Sequence, residues 1–165
     1  MDANESRKKL WDLIKDVKFT MMVTEQDDGT LRSRPMATQQ AEFDGDLWFF
    51  TYVDSNKVHE INHHHQVNLS YADTDDQRYV SVSGVAELVR DRAKLEELWN
   101  PVYKAWFPKG LDDPNIGLIK VRVTNAEYWD STAGRMTTLV GYVKQAVTGQ
   151  PYQPSEEEHK KLKVS

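Results

Sequence analysis

Residues 44–52 read DGDLWFFTY, and this stretch decides the fold that the sequence predicts. Asp44-Gly45 is a tight-turn signal, and the aromatic-rich residues 47–52 that follow are the strongest strand candidate in the chain. Two further β-favouring stretches, residues 19–24 and 31–43, precede the turn. Together the three stretches predict an early antiparallel meander.

The rest of the chain continues the same pattern. Residues 67–71, 79–89, 118–123 and 126–129 favour strands, Gly84 predicts a bulge or sharp bend, and residues 139–146 fit either a short helix or a strand. Short helices are predicted before the first strand, after Ser55 and after Asp91. We therefore predict a mainly β fold with short helices (α+β), arranged as a six-stranded antiparallel barrel.

Length, charge and composition limit the classes of protein to which the chain can belong. The chain has 165 residues, a formal net charge of -5 and no cysteine, so one domain is expected and thiolate sites and disulfides are excluded. We predict a single domain over residues 1–149 and a polar tail over residues 150–165. No basic stripe, membrane-length apolar run or secretory leader is present, so we expect no nucleic-acid or membrane partner and a cytoplasmic location.

A first candidate site lies at Arg32-Ser33-Arg34-Pro35-Met36. Alternate residues of a strand share a face, so Arg32, Arg34 and Met36 are expected on one side of the sheet. Two guanidinium groups there would match the oxygens of a phosphate. A solvated charged face is the alternative. Pro35 cannot donate to a ladder, which predicts that this strand lies at a sheet edge or next to a bulge.

A second candidate is Ser55-Asn56-Lys57, at the predicted start of a helix. The free N–H groups and dipole of a helix N-terminus favour an anion, and Lys57 adds a cation. Ordinary capping by Ser55 with a solvated Lys57 is the alternative. Both candidates flank the aromatic strand, so they can converge on one phosphate.

The segment His59-Glu60-Ile61-Asn62-His63 matches the H-E-x-x-H pattern of zinc proteases. A zinc hydrolase also needs a third protein ligand on another element, and no ligand motif follows downstream. We therefore interpret the segment as a solvated histidine run and predict no metal site. A zinc hydrolase stays open as an alternative.

Several stretches taken in order resemble the FMN-binding split-barrel superfamily, whose best-known enzyme is pyridoxamine 5′-phosphate oxidase. They are residues 31–36 (LRSRPM), 46–51 (DLWFFT), 55–58 (SNKV) and 80–84 (VSVSG). Residues 106–110 (WFPKG), 112–114 (DDP) and 127–130 (EYWD) are similar to the bacterial general stress protein branch. The resemblance covers roughly residues 5–147 and makes the expected barrel a split barrel.

The resemblance implies a homodimer with FMN at the subunit interface. The residues it places at the cofactor are Arg32, Ser33, Arg34, Pro35 and Met36 along the flavin and its phosphate, Phe50 and Thr51 at the strand end, Ser55 and Lys57 at the phosphate, and Trp129 near the ring. Asn56 stands where the oxidase has an arginine, and Tyr79 where it has a glutamine. Nothing after Ala126 resembles the oxidase's substrate segment, so oxidation of pyridoxamine phosphate is not expected.

The function predicted is a flavin-dependent oxidoreductase with a stress-related role and a reduced nicotinamide as donor. No residue stands out as an acid, base or nucleophile, and a flavoprotein that transfers hydride need not have one. A non-catalytic flavin binder or sensor is the alternative, so whether the chain is an enzyme stays open.

Overall fold

The computed structural model describes residues 2–39, 43–131 and 159–164. The described helices are α1 Ala3–Ile14, α2 Asn56–His63 and α3 Arg92–Leu98, with short 3-10 helices at Pro101–Ala105 and Gly110–Asp112. The described strands are β1 Phe19–Glu25, β2 Leu31–Ala37, β3 Asp46–Tyr52, β4 Gln66–Asp73, β5 Arg78–Val89, β6 Ile116–Asp130 and β7 His159–Lys163.

All the strand pairings among these residues are antiparallel. The sheet runs in the order β2-β1-β4-β5-β6-β3, and β7 also pairs with β6. The long strand β6 carries β5 along one edge, while β3 and β7 share the other edge at its two ends. The predicted mainly β antiparallel barrel is confirmed, with seven strands in the described part of the chain rather than six.

The predicted early meander is wrong at its third strand. β3 pairs with β6, from Asp46 opposite Arg122 to Tyr52 opposite Ile116, and not with β2. Gly45 has a φ of 122°, and its carbonyl accepts a hydrogen bond from the Val123 N–H at 3.0 Å, which leads the chain onto β6. Local patterning predicts a strand here, but it does not say which partner the strand takes.

The core consists of two clusters. The larger one packs Leu10 and Ile14 of α1 against buried sheet residues such as Met22, Leu69 and Val121. The smaller one packs α3 and residues 101–112, which contain both 3-10 helices and are called the 3-10 segment, against β3 and β6; its buried members are Phe50, Leu95, Leu98, Tyr103, Ile116 and Leu118. This smaller cluster supports the wall of the candidate site.

The bulge predicted at Gly84 is confirmed. The register between β5 and β6 shifts between Ser83 and Gly84. A Cβ atom at Gly84 would lie 2.6 Å from the carbonyl oxygen of Arg122, so the two backbones approach more closely than a side chain would allow.

The C-terminal segment departs from the expected polar tail. Residues 159–163 form β7, and Leu162 and Val164 are buried in the main core. The mixed charges of this segment are compatible with an edge strand, whose alternate residues face solvent. Residues 139–146, predicted as a helix or strand, lie outside the described residues. No helix in the described part of the chain is long and apolar enough to cross a membrane.

Candidate functional site

A cavity of about 240 Å³ lies between the two end strands of the sheet, β2 and β3. We call it the β2–β3 cavity. Its lining comes from β1, from β2 and the residues after it, from β3, from the start of α2 and from the 3-10 segment; it consists of Phe19, Pro35, Met36, Ala37, Gln39, Phe50, Lys57, Tyr103, Trp106 and Phe107. The cavity is therefore mostly apolar, with one cation at its edge.

Pro35 belongs to the edge strand that forms the β2 side of the cavity. Pro35 lies opposite Met21 of β1, and β2 has no second strand partner among the described residues, so the predicted edge position is confirmed. An edge strand tolerates the missing N–H of proline. Pro35 and its buried neighbour Met36 both line the cavity.

The opposite wall is aromatic. The ring of Phe50 lies 5.4 Å from the rings of Trp99 and Tyr103 and 6.1 Å from that of Phe107. The Tyr103 hydroxyl donates to Gln39 Oε1 at 3.1 Å, and burial raises the pKa of Tyr103, so this phenol is neutral. The wall offers flat apolar faces and one neutral polar pair.

Lys57 is the cation at the cavity edge. It lies in the first turn of α2, is partly buried, and has no hydrogen bond or ion pair to a residue that the structure describes. Burial lowers the pKa of Lys57, and the nearby charge of Arg34 lowers it further, against a smaller opposite effect of Glu60. A bound anion would offset both lowering effects.

Ser55 and Thr51 lie beside Lys57. Ser55 occupies the N-cap position of α2, but its side chain makes no capping bond; its Oγ lies 3.3 Å from Oγ1 of Thr51 instead. The ordinary capping role considered for Ser55 is therefore not observed. Its hydroxyl and the free N–H groups of the first helical turn can donate to an anion.

Arg34 reaches α2 rather than lining the cavity. Its Nη2 donates to Glu60 Oε2 at 2.7 Å, and its Nη1 contacts the Thr24 hydroxyl and the Met22 carbonyl. The guanidinium still acts on the cavity electrostatically, because it is close enough to lower the pKa of Lys57.

The remaining predicted residues lie farther away. Arg32 and Ser33 are exposed, and Arg32 lines a separate recess of about 360 Å³ together with Asp27 and His59. Trp129 lies near the other end of β6, opposite Tyr79, with its ring stacked 5.0 Å from that of His159. It is roughly 35 Å along the strand from Leu118, the partner of Phe50.

The H-E-x-x-H pattern does not assemble a hydrolytic site. His59 and His63 are exposed, but Glu60 is buried in its ion pair with Arg34 and in a short contact with Thr24. The glutamate is thus held away from solvent and cannot act as the general base that a zinc hydrolase needs.

Sequence reasoning missed part of the cavity lining. Phe19, Gln39, Tyr103, Trp106 and Phe107 were not predicted as site residues, although Trp106 and Phe107 belong to a stretch that carried the resemblance. Their convergence depends on how the 3-10 segment packs on β3, which no local pattern reveals. The available signals were the aromatic richness of the chain and the resemblance at residues 106–110.

The chain matches a protein-family model and is similar in sequence to a known protein. A family model described as "Pyridoxamine 5'-phosphate oxidase like" matches residues 5–153. Protein bli-3 of Neurospora crassa is 33% identical over 144 residues, which cover 81% of this chain and 69% of that protein.

Two solved structures show similar folds. A protein of Jannaschia sp. CCS1, provisionally named general stress protein 26, superposes with a TM-score of 0.73 at 24% identity, covering 97% of this chain and 99% of the other. The general stress FMN/FAD binding protein of Xanthomonas citri superposes with a TM-score of 0.66 at 27% identity, covering 77% and 89%.

Proposed function

The chain belongs to the pyridoxamine 5′-phosphate oxidase-like family, and from this premise we propose that it is a flavoprotein that binds FMN in the β2–β3 cavity. The observation that carries the proposal is Lys57, a partly buried cation that makes no hydrogen bond or ion pair to a described residue, at the edge of an apolar cavity. An apolar, flat-walled cavity with one cation suits a planar ring that bears an anionic tail.

In this proposal the ring of FMN lies against Pro35, Met36 and Phe50. Its phosphate is bound by Lys57 and Ser55, with Arg34 and the N-terminus of α2 adding positive potential. Thr51 Oγ1 lies 3.3 Å from Ser55 Oγ and can donate to it, which leaves the Ser55 proton for the phosphate. Arg32 and Ser33 would contact the cofactor only at the exposed end of β2.

The choice of FMN rests on this arrangement and on relatives. The Xanthomonas citri protein is named as binding FMN or FAD. A terminal phosphate is a dianion at neutral pH, and a single localised cation, Lys57 at the start of α2, matches it better than it matches an extended dinucleotide.

We further propose that the site is completed by a second copy of the chain. The cavity of about 240 Å³ is smaller than the range of roughly 300–1,000 Å³ that is usual for ligand pockets. Trp129, implied to lie near the ring, is too far along β6 to reach the cavity of its own protomer. A homodimer would bring Trp129 of one copy to the cavity of the other.

FMN, when bound, would supply the redox chemistry by accepting a hydride, with a reduced nicotinamide as the proposed donor. The protein would bind and orient the ring and exclude water from its buried side. The lining residues that the structure describes include no carboxylate, histidine or thiol. The titratable groups of the lining are Lys57, proposed to bind the phosphate, and Tyr103, whose hydroxyl donates to Gln39, so the lining also suits the second candidate, a non-catalytic flavin binder or sensor.

The test begins with the untagged full-length protein. We expect a yellow protein that releases about one FMN per chain, identified by absorption and mass spectrometry. Anaerobic mixing with reduced nicotinamide, followed at the flavin absorbance, then separates the two candidates. Rapid bleaching and reoxidation by an acceptor support the oxidoreductase, while a flavin that stays oxidised with every donor supports the binder. A colourless protein that does not bind added FMN would refute both.

A further inference from the structure

Asp27, His59 and His63 lie together on the surface, outside the β2–β3 cavity. Asp27 lies in the turn between β1 and β2, and the two histidines lie one turn apart on α2. Each residue offers one ligand atom, and the three atoms all lie within 4.8 Å of one another. We propose that these three side chains form a binding site for a zinc-class divalent cation.

The spacing of the ligand atoms fits one metal ion. His59 Nε2 and Asp27 Oδ2 are 3.0 Å apart, and the rings of His59 and His63 are 4.4 Å apart between centroids. Two ligand atoms on one tetrahedral zinc are separated by about 3.3 Å, given bonds of about 2.0–2.1 Å. Asp27 and His59 are thus already near this separation, and the ligand atom of His63 lies within 4.8 Å of both.

The orientation of His63 supports the same role. Its Nδ1 lies 2.8 Å from the carbonyl oxygen of His59. A carbonyl oxygen only accepts, so Nδ1 carries the proton of the neutral ring and Nε2 keeps a free lone pair. Metal-binding histidines are commonly fixed in this way by a carbonyl that accepts from the other ring nitrogen.

The third ligand could not be recognised from the H-E-x-x-H pattern alone. The H-E-x-x-H pattern offered two histidines on one helix face, and Asp27 lies 32 positions before His59, on a different element. The surrounding charge is mixed, because Asp28 and Arg32 line the same recess. The Asp28 carboxylate accepts hydrogen bonds from the backbone N–H and the hydroxyl of Thr30, so it is held beside the site rather than in it.

The proposed site would bind a cation without hydrolysing a substrate. Glu60 lines the same recess, but its carboxylate is engaged by Arg34 and Thr24, so it is not free to act as a general base beside the histidines. The side chains of His59 and Asp27 are 58% and 64% exposed, which leaves room for water in the remaining coordination position. A bound cation would tie the β1–β2 turn to α2, the helix whose first turn carries Lys57.

Calorimetric titration of the untagged, chelator-treated protein with zinc chloride at neutral pH tests the proposal, with any bound chromophore retained. We expect saturation at about one zinc per chain. Asp27→Asn and His63→Ala should each weaken zinc binding by about tenfold or more, since loss of even an outer partner of a metal ligand costs roughly 10–100-fold. Asp27→Asn is nearly isosteric and changes an exposed side chain, so it should fold like the parent protein, which circular dichroism would verify.

His65→Ala is the matched control. His65 belongs to the same histidine run and is exposed, but it lies outside the cluster. Zinc affinity in this variant should equal that of the parent protein. The proposal is overturned if no saturable binding occurs, because Asp27 and His59 then form only an ion pair. It is also overturned if Asp27→Asn binds zinc as tightly as the parent, or if His65→Ala loses as much affinity as His63→Ala.

Discussion

Arg34 and Glu60 form an ion pair between β2 and α2, with Nη2 of Arg34 2.7 Å from Oε2 of Glu60. Both side chains are largely buried, at 15% and 7% exposure, and the Thr24 hydroxyl contacts both of them. The glutamate that suggested a catalytic base in the sequence is therefore an anchor. It fixes α2, and with it Lys57, against the edge of the sheet.

This anchoring role predicts a large loss of stability in Glu60→Gln. The substitution preserves the shape of the side chain but leaves the Arg34 charge without its partner in a mostly buried position. We expect the free energy of unfolding to fall by about 2–3 kcal/mol, as measured by urea denaturation.

Glu96→Gln provides the control for that measurement. Glu96 pairs with Arg92 at 2.9 Å, but these side chains are 57% and 56% exposed. Exposed pairs contribute little, so the loss there should stay below about 1 kcal/mol. Equal losses in the two variants would contradict the proposed role of Glu60.

Local signals predicted much of the fold. The missing N–H of Pro35 indicated an edge strand, Gly84 indicated a bulge, and Asp91 indicated a helix cap, and each is observed. These features depend on one residue's own backbone chemistry. The partner of β3 and the contact between Arg34 and Glu60 depend on the order of strands in the sheet, which no short window of sequence contains.

The candidate site was likewise predictable in part. Of the residues predicted from the resemblance, those lining the cavity are Pro35, Met36, Phe50 and Lys57. Arg34, Thr51 and Ser55 lie around the start of α2, whereas Arg32 and Ser33 are exposed and Trp129 lies elsewhere on the sheet. The resemblance predicted site residues that lie on β2, at the end of β3 and at the start of α2. It did not predict the aromatic wall, because that wall depends on how the 3-10 segment packs against β3.

The Lys57→Gln variant should show whether Lys57 contacts the phosphate or the ring of FMN. Loss of one charge-assisted contact to the phosphate should weaken FMN binding by about tenfold or more. Riboflavin has the same ring without the phosphate, so its affinity should change little. Fluorescence titration of both ligands gives the comparison. A similar loss for riboflavin would mean that Lys57 contacts the ring or supports the fold instead.

The lowered pKa of Lys57 predicts a dependence of FMN affinity on pH. Burial and the charge of Arg34 lower this pKa from its ordinary value of 10.5, so the free site loses its cation at a lower pH than an exposed lysine would. A bound phosphate raises the pKa again, so binding takes up a proton in that range. FMN affinity should therefore fall as pH rises through the pKa of the free site.

Calorimetry in two buffers of different ionisation enthalpy would measure that proton uptake. The range above about pH 8 avoids titration of the phosphate itself, whose second pKa is about 6. The uptake should disappear in Lys57→Gln. Uptake of equal size in parent and variant would assign the proton to another group.

Gly84→Ala should destabilise the barrel through contact rather than through backbone strain. The new Cβ would lie 2.6 Å from the Arg122 carbonyl oxygen and 2.7 Å from Cγ1 of Val121. Overpacking of this kind typically costs about 1–3 kcal/mol, which urea denaturation would detect. At Gly29, by contrast, a Cβ would meet nothing within 4 Å, so any cost of Gly29→Ala comes from its φ of 82° alone. In urea denaturation at 25 °C, the midpoint of Gly84→Ala should fall. The dependence of the unfolding free energy on urea concentration should stay unchanged, because the folded and unfolded states should expose the same surface as in the parent protein.

Mixing two variants would test whether Trp129 acts on the cavity of a second copy. Trp129→Ala and Lys57→Gln should each weaken FMN binding when studied alone. In a twofold-symmetric dimer with sites built from both copies, a hybrid of the two variants has one site with neither change and one with both. Random exchange after refolding together should then restore full affinity to about a quarter of all sites. If Trp129 instead served its own protomer, or no site at all, mixing would restore none.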